Sequence, residues 1–342
     1  MFREDFVWGV ASSAYQVEGT DAADGRGACV WDMFAADGRV FEHQNADTSC
    51  DHMHHYKEDI ALMRHLGIRA YRFSLNWARI LPEGTGRVNE KAIAMYRDMI
   101  LTMKENGITP YLTLFHWEFP QALYERGGWQ NPDVVQWFGE YAKVVAENFS
   151  DICEYFITIN EPQCVVGLGH LSGVHAPGVK LPVAQTFLVA HHLLMAHGQA
   201  VINLRRYAVR PVKIGFAPTG GVAYPYTDRP EDIEAAKKVY FGFYNPIDNW
   251  TWNVSWFSDP VFLGHYPEEG LKKFAPYLPK ITQEDMELIY QPLDFMGQNI
   301  YNGYYVRAGA DGEPEFVDRA PGFPKTGSDW PVTPEAFYYG IK

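Results

Sequence analysis

Apolar residues along this chain keep two rhythms. Short runs that are apolar or alternating recur at 6–16 (FVWGVASSAYQ), 68–77 (IRAYRFSLNW), 108–117 (ITPYLTLFHW), 153–162 (CEYFITINEP), 212–218 (VKIGFAP) and 293–301 (LDFMGQNIY). Their length and aromatic, β-branched content predict strands. Between them, 56–67, 89–107, 131–149 and 184–207 carry apolar residues at three-to-four spacing, several opening on Asn or Thr and closing on Gly, which predicts helices. Strands that are nearly continuous apolar runs, alternating with helices, predict a parallel sheet covered by helices. No strand is followed by the GxGxxG loop of a doubly wound sheet. An α/β fold of the (β/α)8 TIM-barrel type is therefore predicted, with this chain supplying about six βα units. No linker or low-complexity tract interrupts 1–342, so a single, incomplete barrel domain is expected. The Gly-, Pro- and Asp-rich stretch 308–329 is predicted to be a surface loop.

On that frame, five polar residues fall at the C-terminal ends of four predicted strands: Gln16, His116, Asn160, Glu161 and Asn299. Barrel active sites are built on that face. Glu161 ends the run ITINEP. It could cap the following helix, but its place after Asn160 at a strand end favours a carboxyl group that stays protonated in an aromatic cleft and donates a proton to a leaving oxygen. His116 and Trp117 close the third strand together, an imidazole beside a ring able to stack on a sugar, although Trp117 equally suits packing. The histidines of DHMHHYKED (His52, His54, His55) and of HHLLMAH (191–197) lack metal-binding spacing and read as structural.

Composition narrows the ligand more than the fold. Of 342 residues 15% are aromatic, including 10 Trp and 21 Tyr, which suits flat, half-apolar ligands. A net charge of −13 argues against nucleic acid and anionic membrane as partners. The four cysteines (Cys29, Cys50, Cys153, Cys164) form neither a CxxC pair nor a disulfide framework. The N-terminal MFREDFVWG places charges where a signal peptide needs an apolar run. A reducing, cytoplasmic location is expected.

Taken with DFVWGVASSAYQVEG (5–19), HHYKEDIALMRHLGIRAYRFSLNWARILPEG (54–84), LTLFHWEFPQAL (112–123), HAPG (175–178) and DFMGQNIY (294–301), the ITINEPQC motif resembles the family 1 glycoside hydrolases of β-glucosidase type. The resemblance runs along essentially the whole chain. It implies a (β/α)8 barrel, no metal or organic cofactor, and a two-step reaction through a glycosyl-enzyme. It further implies Glu161 as acid/base and Asn160 as the residue binding the sugar 2-hydroxyl. Gln16 and His116 would hold the far hydroxyls, and Arg72 would hydrogen-bond the nucleophile. Tyr301, two after Asn299, would stand beside that nucleophile, and Trp330 would line the leaving-group side. Gln163 stands where many members have tryptophan, a departure expected to alter the aglycone side.

The family's nucleophile is the glutamate of a TENG motif, and no TENG occurs here. The chain reaches Lys342 inside a predicted sixth helix, so the nucleophile and the last two strands are expected to lie outside it. Glu335 opens that helix at the wrong end of the barrel to substitute. The expected activity is retaining hydrolysis of terminal β-linked glucosides, galactosides and fucosides remaining open. The partner would be a small-molecule β-glycoside or oligosaccharide, and the isolated 342-residue chain would be inactive. A C-terminal segment completing the barrel, or self-association, would cover its open edges. The alternatives are a 6-phospho-β-glycosidase, disfavoured because LFHWEFP looks more like the unphosphorylated branch, and a non-catalytic sugar-binding barrel.

Overall fold

A computed structural model describes residues 2–20 and 24–342. Six strands run parallel in one sheet: β1 (Gly9–Ala11), β2 (Ala70–Ser74), β3 (Thr109–Phe115), β4 (Tyr155–Asn160), β5 (Lys213–Ala217) and, after the short β6 (Val222–Pro225), β7 (Phe295–Met296). Their order, β1-β2-β3-β4-β5-β7, is that of consecutive βα units of a (β/α)8 barrel. The outward side chains Leu112, Leu114, Phe156, Ile214 and Phe216 form one core with the helices Glu90–Glu105, Val134–Phe149 and Val183–Tyr207. Trp77, fully buried, lies flat on Tyr141 with ring centroids 5.1 Å apart. On the inner face Tyr111 and Tyr155 stack at 4.5 Å, and Phe295 meets both edge-on. Gly215 of β5 is required there, because a Cβ would stand 2.4 Å from the Phe295 ring.

The predicted helix signals work unevenly. Gly67 and Gly107, at φ 77° and 73°, end the helices His52–His65 and Glu90–Glu105 in the left-handed conformation that favours glycine. Asn89 precedes its helix as expected, yet its side chain does not cap it. Its amide donates instead to the carbonyls of Asp24 (2.9 Å) and Arg79 (3.0 Å).

Three expectations are corrected. The predicted strand at 6–16 is only Gly9–Ala11, and the chain then makes a helical turn, Ala14–Val17. The Ala14 amide donates to Ser74 Oγ and the Tyr15 amide to Glu118 Oε1, both at 2.8 Å, so side chains rather than a neighbouring strand satisfy this backbone. Gln16 thus rides on a turn, not a strand end. The sixth predicted strand pairs only over Phe295–Met296, and Asn299 lies beyond it. Finally, 308–329 is not all loop: β9 (Pro314–Val317) pairs antiparallel with β8 (Gly303–Ala308), which pairs with β6. This second sheet and the helix Pro230–Phe241 enclose a separate small core around Val222, Tyr224, Tyr240 and Val306. Among the described residues, no helix is long and apolar enough to cross a membrane.

Candidate active site

Strand β4 delivers the central pair. Its register against β5 shifts between Ile157 and Asn160. Strict alternation would put these two residues on opposite faces. The irregularity turns Asn160 inward, toward Arg72 of β2. Glu161 follows in the left-handed region (φ 47°, ψ 68°), its N–H still bonded to the Ala217 carbonyl at 2.8 Å, and Pro162 starts the next turn. The Glu161 side chain makes no helix cap. It is 5% exposed, and three donors reach it: Asn299 Nδ2 (2.5 Å) and Tyr301 Oη (3.3 Å) to Oε1, and Cys164 Sγ (3.1 Å) to Oε2. Burial first, then the Glu161 charge, pushes the Tyr301 phenol up to about 12, so it remains a donor.

Arg72 ties the inner polar residues together. Its guanidinium donates to Asn160 Oδ1, to Asn299 Oδ1 (3.3 Å) and to Thr113 Oγ1 (3.1 Å). Burial lowers its affinity for the proton, and Glu161 and Tyr301 oppose that. His116 is driven the same way, down to about 3, by burial and then by Arg72, and is therefore neutral. Its Nε2 lies 3.3 Å from the Asn160 amide nitrogen, so Nε2 accepts and the ring proton sits on Nδ1, which has no partner among the described residues. Trp117, at φ 88°, donates from its indole N–H to the Asn160 carbonyl at 2.9 Å. Both ends of Asn160 are thus held, and its orientation is set before any ligand arrives.

Two adjoining hollows open above these groups. One, of about 480 Å³, is lined by Gln16, His116, Trp117 and His175. The other, of about 790 Å³, takes in Glu161, Tyr301 and Trp330 and extends to Tyr304 and Phe316 of the second sheet. Tyr301 and Trp330 form one aromatic wall, their centroids 5.3 Å apart. Among the described residues lining both, Glu161 is the only carboxylate. All nine residues singled out from the sequence therefore gather around one cleft. Asn160, Arg72 and Asn299 lie beneath it, bonded to one another, and the other six border it.

The histidines of the segment 51–59 are used elsewhere. His52 bonds Asp59 at 2.6 Å, and His55 bonds Glu58 at 3.1 Å. Gln163 does not face the cavity: it is fully buried and accepts the Thr219 amide at 3.2 Å, behind the Thr219–Gly221 part of the wall. Sequence reasoning passed over three participants. Cys164 lies three residues after Glu161, a spacing at which a turn brings side chains together. His175, the first residue of HAPG, stands between Trp31 and Trp117. Glu118, 1% exposed, holds the Tyr15 amide and with it the turn that carries Gln16.

The Glycosyl hydrolase family 1 profile matches residues 1–342. The 1,4-beta-D-glucan glucohydrolase of Thermotoga neapolitana is 41% identical over 344 residues, an alignment covering 100% of this chain and 78% of the relative. Beta-glucosidase A of Thermotoga maritima is also 41% identical, with 100% of this chain and 74% of the relative covered. The solved beta-glucosidase from Thermotoga maritima in complex with glucoimidazole superposes with a TM-score of 0.87 at 41% identity, over 99% of this chain and 74% of that one.

Proposed function

The chain belongs to glycosyl hydrolase family 1, and from that premise we propose that it carries the acid/base half of a retaining β-glycosidase acting on terminal β-linked glucosides. The observation that carries this reading is the buried Glu161 at the C-terminal end of β4, held by three donors at the base of an aromatic-walled cleft. In the first step Glu161 gives its proton to the departing glycosidic oxygen, and in the second it takes one from the attacking water. Asn160, locked by Arg72 and Trp117, binds the sugar hydroxyl nearest the reacting carbon. Gln16 and His116 hold the far hydroxyls, Trp117 offers a stacking face, and Trp330 with Tyr301 takes the aglycone. Arg72 and Asn299 form the polar floor beside which a second carboxylate is needed.

Retention requires two carboxyl groups about 5–5.5 Å apart, and Glu161 stands alone among the described lining residues. Turnover by this mechanism therefore needs a second carboxylate across the sugar from Glu161. We place the enzyme in cytoplasmic carbohydrate metabolism, a reading supported by four cysteines that are all free.

The test is Glu161→Gln, assayed with the second carboxylate present. Glucosides with poor leaving groups should lose nearly all turnover. Activated aryl glucosides should lose far less in the first step, since their departure needs little protonation, and azide should restore turnover by attacking the glycosyl-enzyme. Equal loss for both substrate classes, without rescue, would reject the assignment.

A further inference from the structure

The two oxygens of Glu161 have unlike surroundings. Oε1 accepts from Asn299 at 2.5 Å and from Tyr301 at 3.3 Å, whereas among the described residues Oε2 accepts from the Cys164 thiol alone, at 3.1 Å. Local folding delivers that thiol. The left-handed backbone at Glu161 and the proline after it close a turn in which the Cys164 N–H bonds to the Glu161 carbonyl at 3.0 Å, bringing Sγ back beneath the carboxylate. Burial first, and the Glu161 charge next, hold the thiol well above its ordinary range, so it is an S–H donor and not a thiolate.

We propose that Cys164 is a positioning residue for the general acid, marking Oε2 as the oxygen that carries and delivers the proton. This rests on the reading of Glu161 as acid/base. With two donors already on Oε1, a proton arriving at the carboxylate goes to Oε2. As the glycosidic C–O bond breaks, its electron pair stays with the departing oxygen, which takes the Oε2 proton, and the thiol then donates to the carboxylate left behind. When water attacks in the second step its proton returns to Oε2 and the thiol lets go. Cys164 ends each cycle as it began. A thiol suits this exchange because it is a weak donor: a hydroxyl would favour the ionised form more, and an apolar side chain would not favour it at all. The other titratable or charged groups facing Glu161 are Arg72 from β2, Tyr301 beyond β7 and His175 across the cavity, and all are unchanged in the variants proposed.

The experiment compares kcat/KM against pH for wild type, Cys164→Ser and Cys164→Val, with the second carboxylate present, on a glucoside with a poor leaving group. The alkaline limb reports loss of the acid's proton. It should move to lower pH in Cys164→Ser and to higher pH in Cys164→Val, each by about half a pH unit or more. On an activated aryl glucoside, whose departure needs little protonation, the alkaline limb should move far less in both variants. Limbs that coincide, or that move the same way in both variants, would reduce Cys164 to packing and overturn the proposal. In those cases azide rescue of Glu161→Gln would leave the acid/base reading standing, and its failure would remove both.

Discussion

Replacing Glu118 by Gln should stabilise the protein, and by an amount that grows with pH. The Glu118 carboxyl is 1% exposed. One oxygen accepts the Tyr15 amide at 2.8 Å, while the other has no partner among the described residues. Burial, outweighing the hydrogen bond, moves its proton affinity from the ordinary 4.5 up to about 8. Between those values the unfolded chain has released this proton and the folded chain has not, so stability falls as pH rises through that window and levels off above it. The displacement corresponds to at most about 5 kcal/mol. A glutamine oxygen can still accept the Tyr15 amide, and glutamine does not ionise. Urea denaturation of both proteins near pH 5 should give similar stabilities, and by about pH 8 the variant should lead by up to ~4 kcal/mol. A difference that stays constant to within ~0.5 kcal/mol across that range would show that Glu118 ionises like a solvated carboxyl and would refute the reasoning.

Gln16→Ala and His116→Ala should each lower kcat/KM by ~10²-fold or more through hydrogen bonds that strengthen at the transition state; near-normal kcat/KM with a lower melting point would make His116 structural. Arg79, 1% exposed, pairs with Glu18 (3.3 Å) and Asp24, so Arg79→Met should cost about 3–5 kcal/mol by stranding the buried Glu18 carboxyl, with partial recovery on adding Glu18→Gln. Equilibrium denaturation measures both, and a single-variant loss below about 1 kcal/mol would show that Glu18 is solvated on opening.

The central strands were legible because each is an apolar run bounded by turn residues, and β3 and β4 lie within a few residues of where their patterns put them. The run at 6–16 misled for a physical reason. ASSAYQ continues the run FVWGV with no turn residue to end it, but Ser74 and Glu118, remote in sequence, capture its amides and wind it into a turn. β9 escaped notice because PEFV is a half-polar edge strand pairing on one side only. At the site, residues at strand ends could be picked out one by one. What joins them could not: Arg72 and Asn160 are 88 positions apart, and the register shift that turns Asn160 toward the guanidinium leaves no mark on ITINEP. The resemblance brought both to the site, but as separate partners of the nucleophile and the sugar, not of each other. Cys164 was within reach, since Pro162 after a strand end announces a turn that returns the third residue to the first.

The left-handed backbone at Glu161 bears on how such a protein could change over time. An L-residue with a Cβ is strained there by about 1–2 kcal/mol relative to glycine, and Asn tolerates the conformation better than Glu. Stability and chemistry thus pull this one position in opposite directions, and a lineage released from the need for turnover would gain robustness by discarding the glutamate. Among relatives that have become sugar-binding or purely structural proteins, glycine or asparagine at this position would mark where selection for catalysis ended, while a glutamate retained in that conformation is held by chemistry against the preference of its own backbone.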